Sequence, residues 1–147
     1  MQRFPFLALA GAALLLLLPA CGGSGSEIAG TWVLDTDAMT ETMLAKMPQD
    51  QRENPMVQGM LQMFDKMEVT LVFKGDGTCT GDANMPGQEE EKSTGTWKLE
   101  GGRIVATMKG KDGKEETQKL EPKGDHLEMK PQGEGSRDAP VMIFRRR

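Results

Sequence analysis

From Glu68 onward the chain is a series of short β-rich runs broken by turns, and this phrasing leaves few folds open. Glu68 to Lys74 places Val69, Leu71 and Phe73 on one face, the period-2 pattern of a half-buried strand. Gly75-Asp76-Gly77 turns it, and Thr78-Cys79-Thr80 begins the return. After a polar loop from Asn84 to Lys92 come Thr94 to Leu99, then Arg103 to Lys109 with Ile104, Ala106 and Met108 on one face. Glu115 to Leu120, His126 to Met129 and Val141 to Phe144 follow behind Gly, Pro or Asp turns. Ile28 to Leu34 at the front makes eight strands. Short connections pair each strand with its neighbour, so the expected fold is mainly β, an eight-stranded antiparallel up-and-down meander. Eight strands is also the number at which a meander closes into a small barrel and removes its edges. An open or sandwiched sheet is the alternative, because several runs span only four to six residues.

The segment from Thr36 to Met67 carries no strand pattern and predicts a two-helix insert after the first strand. Asp35, Thr36 and Asp37 are N-cap candidates, followed by Met39, Met43, Leu44 and Met47 at helical spacing. Pro48 stops this helix. Asn54-Pro55 then supplies an N-cap with proline at the first helical position. At about 100° per residue, Met56, Met60, Met63 and Met67 fall within an arc of about 60°, with Val57, Leu61 and Phe64 beside them. Gln58, Gln62, Asp65 and Lys66 lie opposite. An amphipathic helix of this kind is expected to cover an apolar surface, here the barrel.

The N-terminus is a secretion address. Arg3 gives a positive start, Phe4 to Leu18 is apolar, and Leu18-Pro19-Ala20-Cys21 precedes Gly22-Gly23-Ser24-Gly25-Ser26. The apolar run is short for a membrane span of about 20 residues, and Pro5 and Pro19 bracket it, so cleavage is the better account. A cysteine directly after a small residue resembles the lipobox of bacterial lipoproteins, whose cysteine is acylated. The resemblance implies a signal peptide over 1–20, an acylated Cys21 with a flexible tether over 21–26, and a folded domain over 27–147. It also implies a lipid-anchored envelope protein, in the outer membrane if the organism is a diderm that reads Gly22 as a sorting signal.

Removing residues 1–20 takes away one charge, Arg3, and leaves 17 basic and 22 acidic residues, formally −5. A mildly acidic chain with dispersed charges argues against nucleic acid as a partner, and Arg145-Arg146-Arg147 is too small a cluster to reverse that. Cys79 is left without a disulfide partner once Cys21 is acylated, and reads as a small buried strand residue.

Gly30-Thr31-Trp32 on the opening strand of an eight-stranded meander resembles the Gly-x-Trp signature of the lipocalin and calycin group. Gly95-Thr96-Trp97 resembles the repeated phrasing of small bacterial lipocalin-like lipoproteins, as does the hairpin Leu71 to Thr78. In that group the first-strand tryptophan closes the barrel floor beneath an arginine from the last strand. The resemblance implies Trp32 and Arg145 as that cation–π pair. The helical insert and the short strands depart from the larger lipocalins and argue against a spacious cup.

No residue set specifies catalysis. His126, the only histidine, sits beside Asp125 in a turn, and Glu89-Glu90-Glu91 reads as a solvated loop tip. No phosphate-cradling glycine loop and no Cys/His cluster at zinc spacing is present, so the chain reads as a non-enzyme without a cofactor or metal centre. The informative oddity is that seven of the eleven methionines after residue 20 lie between Met39 and Met67. They are adaptable core filler, or they line a plastic apolar site for a small molecule or lipid, with Met56, Met60, Met63, Phe64 and Met67 as the binding residues. A third reading is a Cu(I) site, since thioethers select that ion. Copper-linked envelope lipoproteins carry a Cys-x-x-Cys pair that this chain lacks. The alternative to a binding module is a structural or interaction lipoprotein with a filled barrel and a protein partner.

Overall fold

A computed structural model describes residues 25–131 and 140–147. The leader, Cys21 and the first part of the tether lie outside the described residues. Eight strands form a closed antiparallel barrel in sequence order: β1 Gly30–Leu34, β2 Glu68–Phe73, β3 Thr78–Asn84, β4 Glu91–Glu100, β5 Arg103–Lys109, β6 Glu115–Lys123, β7 His126–Met129 and β8 Met142–Arg146. The first strand pairs with both β2 and β8, which closes the ring and leaves no edge. The expected meander is therefore a barrel rather than an open sheet.

Alternation along each strand decides what faces inward. Leu71 and Phe73 on β2, Ile104 and Ala106 on β5, Leu120 on β6, Leu127 on β7 and Phe144 on β8 are buried. Their neighbours Thr70, Lys119, Glu128 and Arg145 are not. Apolar-in, polar-out alternation makes the interior the hydrophobic core, the reverse of a barrel that faces lipid. Cys79 is 1% exposed within this core and its thiol is pushed up by burial, which makes it unreactive as a nucleophile. Two glycines in the Gly101-Gly102 turn both take positive φ, the conformation that a two-residue hairpin joining β4 to β5 demands. At Gly95 a Cβ would collide with the Thr107 carbonyl, so only glycine lets β4 approach β5 there.

The turns at 74–77, 101–102 and 124–125 share one end of the barrel with residue 25 and the C-terminus; this end is the floor. Trp32 is buried there, and its Nε1 donates to the Ile28 carbonyl at 2.9 Å. The arginine over its ring is Arg146, with Cζ 4.7 Å from the ring centroid, and not the expected Arg145. Strand register explains the correction. Trp32 faces Arg146 across the β1–β8 ladder, so the two share the inner face, while Arg145 faces Val33 and points outward. Arg146 also donates to the carbonyls of Ala29, at 3.1 Å, and Glu27, fixing the N-terminal turn beneath the barrel. Phe73 and Trp97 pack edge to face at 5.4 Å beside them, and Trp97 Nε1 donates to the Lys74 carbonyl at 2.9 Å.

The opposite end carries the helical insert. It contains three helices rather than two: α1 Thr36–Lys46, α2 Gln49–Arg52 and α3 Pro55–Phe64. Pro48 does end α1, yet its fixed φ also starts the single turn α2. Asp35 caps α1 by accepting from the Ala38 amide at 3.0 Å, and Asn54 caps α3 by accepting from the Met56 amide at 2.9 Å. No described helix is long and apolar enough to cross a membrane.

Candidate functional site

Only α1 is built into the barrel. It packs against β8, and Met39 is buried in the same core cluster as Leu34, Leu71 and Phe144. Arg145, outward on β8, meets the cap of this helix, its Nε 3.7 Å from Asp35 Oδ2. Met43, Leu44 and Met47 are half-buried. The third helix packs on α1 and α2, and none of its residues is buried.

The methionine stripe consequently divides. Met67 precedes β2 and packs against the core, and Phe64 is half-buried. Met56, Met60 and Met63 retain 82, 38 and 57% of their surface. They are the three large exposed hydrophobic residues of the described chain, and they sit at i, i+4 and i+7 on one face of α3. The expectation that this face covers the barrel is overturned: the helix turns its methionines outward. The reason lies in α1, which already occupies the position over β8 and seals that part of the core with Met39.

Elsewhere on the insert, α1 and α2 bound a broad, shallow groove of about 650 Å³ lined by Asp37, Thr40, Glu41, Leu44, Ala45 and Arg52. The Thr40 hydroxyl is buried there without a hydrogen-bond partner. An unpaired buried hydroxyl costs about 1–3 kcal/mol. A second depression of about 490 Å³ runs along the outside of β1 and β2 past Asp65, Met67, Arg145 and Arg147.

Three further methionine positions matter that the stripe does not reveal. Met108 on β5, Met129 on β7 and Met142 on β8 pack, half-buried, around the open end of the barrel with Met67, below the buried Met39. Alternation placed Met108 on the inner face; the others needed the closed topology to bring them together. The depression at this end, lined by Glu91, Ser93, Met108, Asp112, Lys114 and Glu116 among others, measures about 160 Å³ and is mainly polar. A pocket for a drug-sized ligand holds roughly 300–1,000 Å³. At the floor end, Phe144, Ile104, Leu120 and Leu127 are fully buried, so side chains fill the barrel there.

The remaining candidates are surface features. His126 Nδ1 lies 3.1 Å from Asp125 Oδ1 and its Nε2 3.6 Å from Glu128 Oε1, on the outside of β7. The hydrogen bond from His126 holds the Asp125 carboxyl below the usual carboxylate range. Glu89 and Glu90 are exposed in the loop before β4, and Glu91 begins that strand. No group of three His, Cys, Asp or Glu side chains among the described residues has a metal-binding arrangement. No protein-family model matches the chain, and no curated protein matches it significantly.

Proposed function

We propose that the protein is a lipoprotein of the bacterial cell envelope, held to the membrane through acylated Cys21, whose lipocalin-like barrel is a filled scaffold and whose insert binds an apolar partner. It binds rather than catalyses. The observation that supports this reading is the exposure of Met56, Met60 and Met63 on one face of a helix whose opposite neighbours are already packed. Exposed apolar surface gathered on one element marks interaction sites, and methionine suits partners of variable shape.

A second reading is a small apolar molecule or lipid held at the open end by Met67, Met108, Met129 and Met142. Their incomplete burial favours it; the small size of the adjoining depression does not. Native mass spectrometry of residues 22–147, after exposure to envelope lipid extract and to Cu(I), separates the readings. The scaffold reading expects the bare mass in both cases. It also expects a photoreactive methionine at position 60 to cross-link a protein in the intact envelope, and the Met56→Glu/Met63→Glu protein to lose that product. A stoichiometric lipid or copper mass that disappears on denaturation would replace it with the small-ligand or the copper reading.

A further inference from the structure

The two ends of the barrel carry opposite charge. The open-end segments 35–68, 82–92 and 109–116 together hold 14 acidic and 7 basic residues. The floor segments 25–30, 73–79, 98–103, 121–126 and 145–147 hold 5 acidic and 7 basic residues. The closed topology creates this asymmetry, because it brings five hairpin and terminal segments that are far apart in sequence to one end. Ion pairs at the floor engage two of its acids and three of its bases: Glu121 lies 3.3 Å from Arg103 and 3.5 Å from Lys123, and Glu100 lies 3.3 Å from Lys98, while Arg145 reaches Asp35 of the open-end segment at 3.7 Å. Lys74 and Arg147 have no carboxylate of another described residue within 4 Å, although Lys74 is near enough to Asp76 to help the hydrogen bonds from Thr78 hold that carboxyl below the usual range.

The chain also enters the fold at the floor. Gly25 lies against Trp97, where an added Cβ would be 3.8 Å from the indole ring. Gly25 is four peptide steps from Cys21, a reach of at most about 14 Å. The seven-residue strand β3 is about 23 Å long and, at the tilt of about 35–45° usual for barrel strands, rises about 16–19 Å along the axis. A chain held at Cys21 therefore cannot bring the open end to the bilayer without laying the barrel on its side. Anionic headgroups attract basic residues within about a Debye length, roughly 10 Å at 0.1 M salt, and repel the acidic insert.

We propose that the floor is a membrane-facing surface for anionic phospholipid, which stands the barrel upright and holds the Met face of α3 away from the bilayer. This rests on the acylation of Cys21 proposed above. The acylated protein, purified after expression with its own leader, is incorporated into vesicles of phosphatidylcholine with or without phosphatidylglycerol. Gly75→Cys at the floor and Gln88→Cys at the open end, both exposed, carry a fluorophore, and a headgroup quencher reports depth. Cys79 is too buried to label. With phosphatidylglycerol, quenching at position 75 should exceed that at 88. The difference should shrink at high salt, and each of Lys74→Glu and Arg147→Glu should lower the upright population at least about fivefold. Equal quenching at the two positions, or stronger quenching at 88, would overturn the orientation while leaving the anchor intact. Flotation of the wild type but not of Cys21→Ser reads the anchor separately; if the wild type fails to float, the anchor and the orientation fall together.

Discussion

Phe144 on β8 and Met56 on α3 are both apolar residues on the apolar face of an amphipathic element, yet Phe144 is fully buried and Met56 keeps 82% of its surface. Local sequence pattern does not distinguish them. What differs is the supply of an opposing surface. The barrel closes on itself, so every inward residue meets others from the far side, and Phe144 lies opposite Leu127 and Leu34 in the ladders beside it. Of the insert's helices, α1 alone places a buried residue, Met39, in that core. Periodicity thus states which residues would pack together, whereas topology decides whether anything is there to pack against.

The buried aromatic is the more sensitive of the two positions. Phe144→Ala should destabilise the barrel by about 3–5 kcal/mol, because the closed ring cannot collapse into the space left. Urea denaturation followed by tryptophan fluorescence would measure this; a loss below about 1 kcal/mol would show that the barrel is not tightly filled. Gly95→Ala should cost about 1–3 kcal/mol in the same assay, since its methyl group must displace the Thr107 carbonyl from the β4–β5 ladder. Gly75→Ala is its control: nothing lies within 4 Å of the added carbon, and stability should change by less than about 0.5 kcal/mol.

Much of the barrel was legible in the sequence because its signals are local. Period-2 alternation at Val69, Leu71 and Phe73 and the Gly101-Gly102 turn each specify a strand or hairpin without reference to the rest of the chain. The arginine over Trp32 was legible as a type of contact but not as a residue. Three consecutive arginines differ only in which face they take, and that is set by a one-residue choice of register. The insert misled for another reason. Its helices and caps were readable, including Asn54 and the stop at Pro48, but the side on which α3 finds neighbours depends on α1 having already covered the barrel. The open-end group of Met67, Met108, Met129 and Met142 comes from four separated segments, so only closure assembles it.

Register offers a sharper comparison inside one triplet. Arg146→Ala removes the stacking on Trp32 and the donors to the Ala29 and Glu27 carbonyls, and should cost about 2 kcal/mol. Arg145→Ala removes an exposed contact to Asp35 at 3.7 Å and should cost no more than about 0.5 kcal/mol. Equal losses would mean that the two residues exchange places across the ring. Smaller still is the effect of acid at Glu121. Lys130 first, then Arg103 and Lys123, hold its carboxyl below the usual range. A depressed folded pKa contributes stability above the unfolded value of about 4.3 that is lost as pH falls through the folded value. Wild type should therefore lose stability relative to Glu121→Gln only below about pH 4, and a difference that appears instead near neutrality would contradict that assignment.

The smallest expected effect tests the exposed end of the comparison. Met60→Glu and Met63→Glu place charges on the outer face of α3, where both residues are already in contact with water. If that face is free in the isolated protein, each should change stability by less than about 0.5 kcal/mol. Phe64→Ala, one turn along and half-buried against its neighbours, should cost about 1–2 kcal/mol, between the wall and the open surface. A loss of 2 kcal/mol or more from Met60→Glu would show that the methionines are covered in solution, by the barrel or by a second copy. Dilution separates those cases, since a contact between copies weakens with concentration and one within the chain does not. An unchanged stability combined with loss of the cross-linked product would leave the methionines a single role, recognition, because they would then contribute nothing measurable to the fold that displays them.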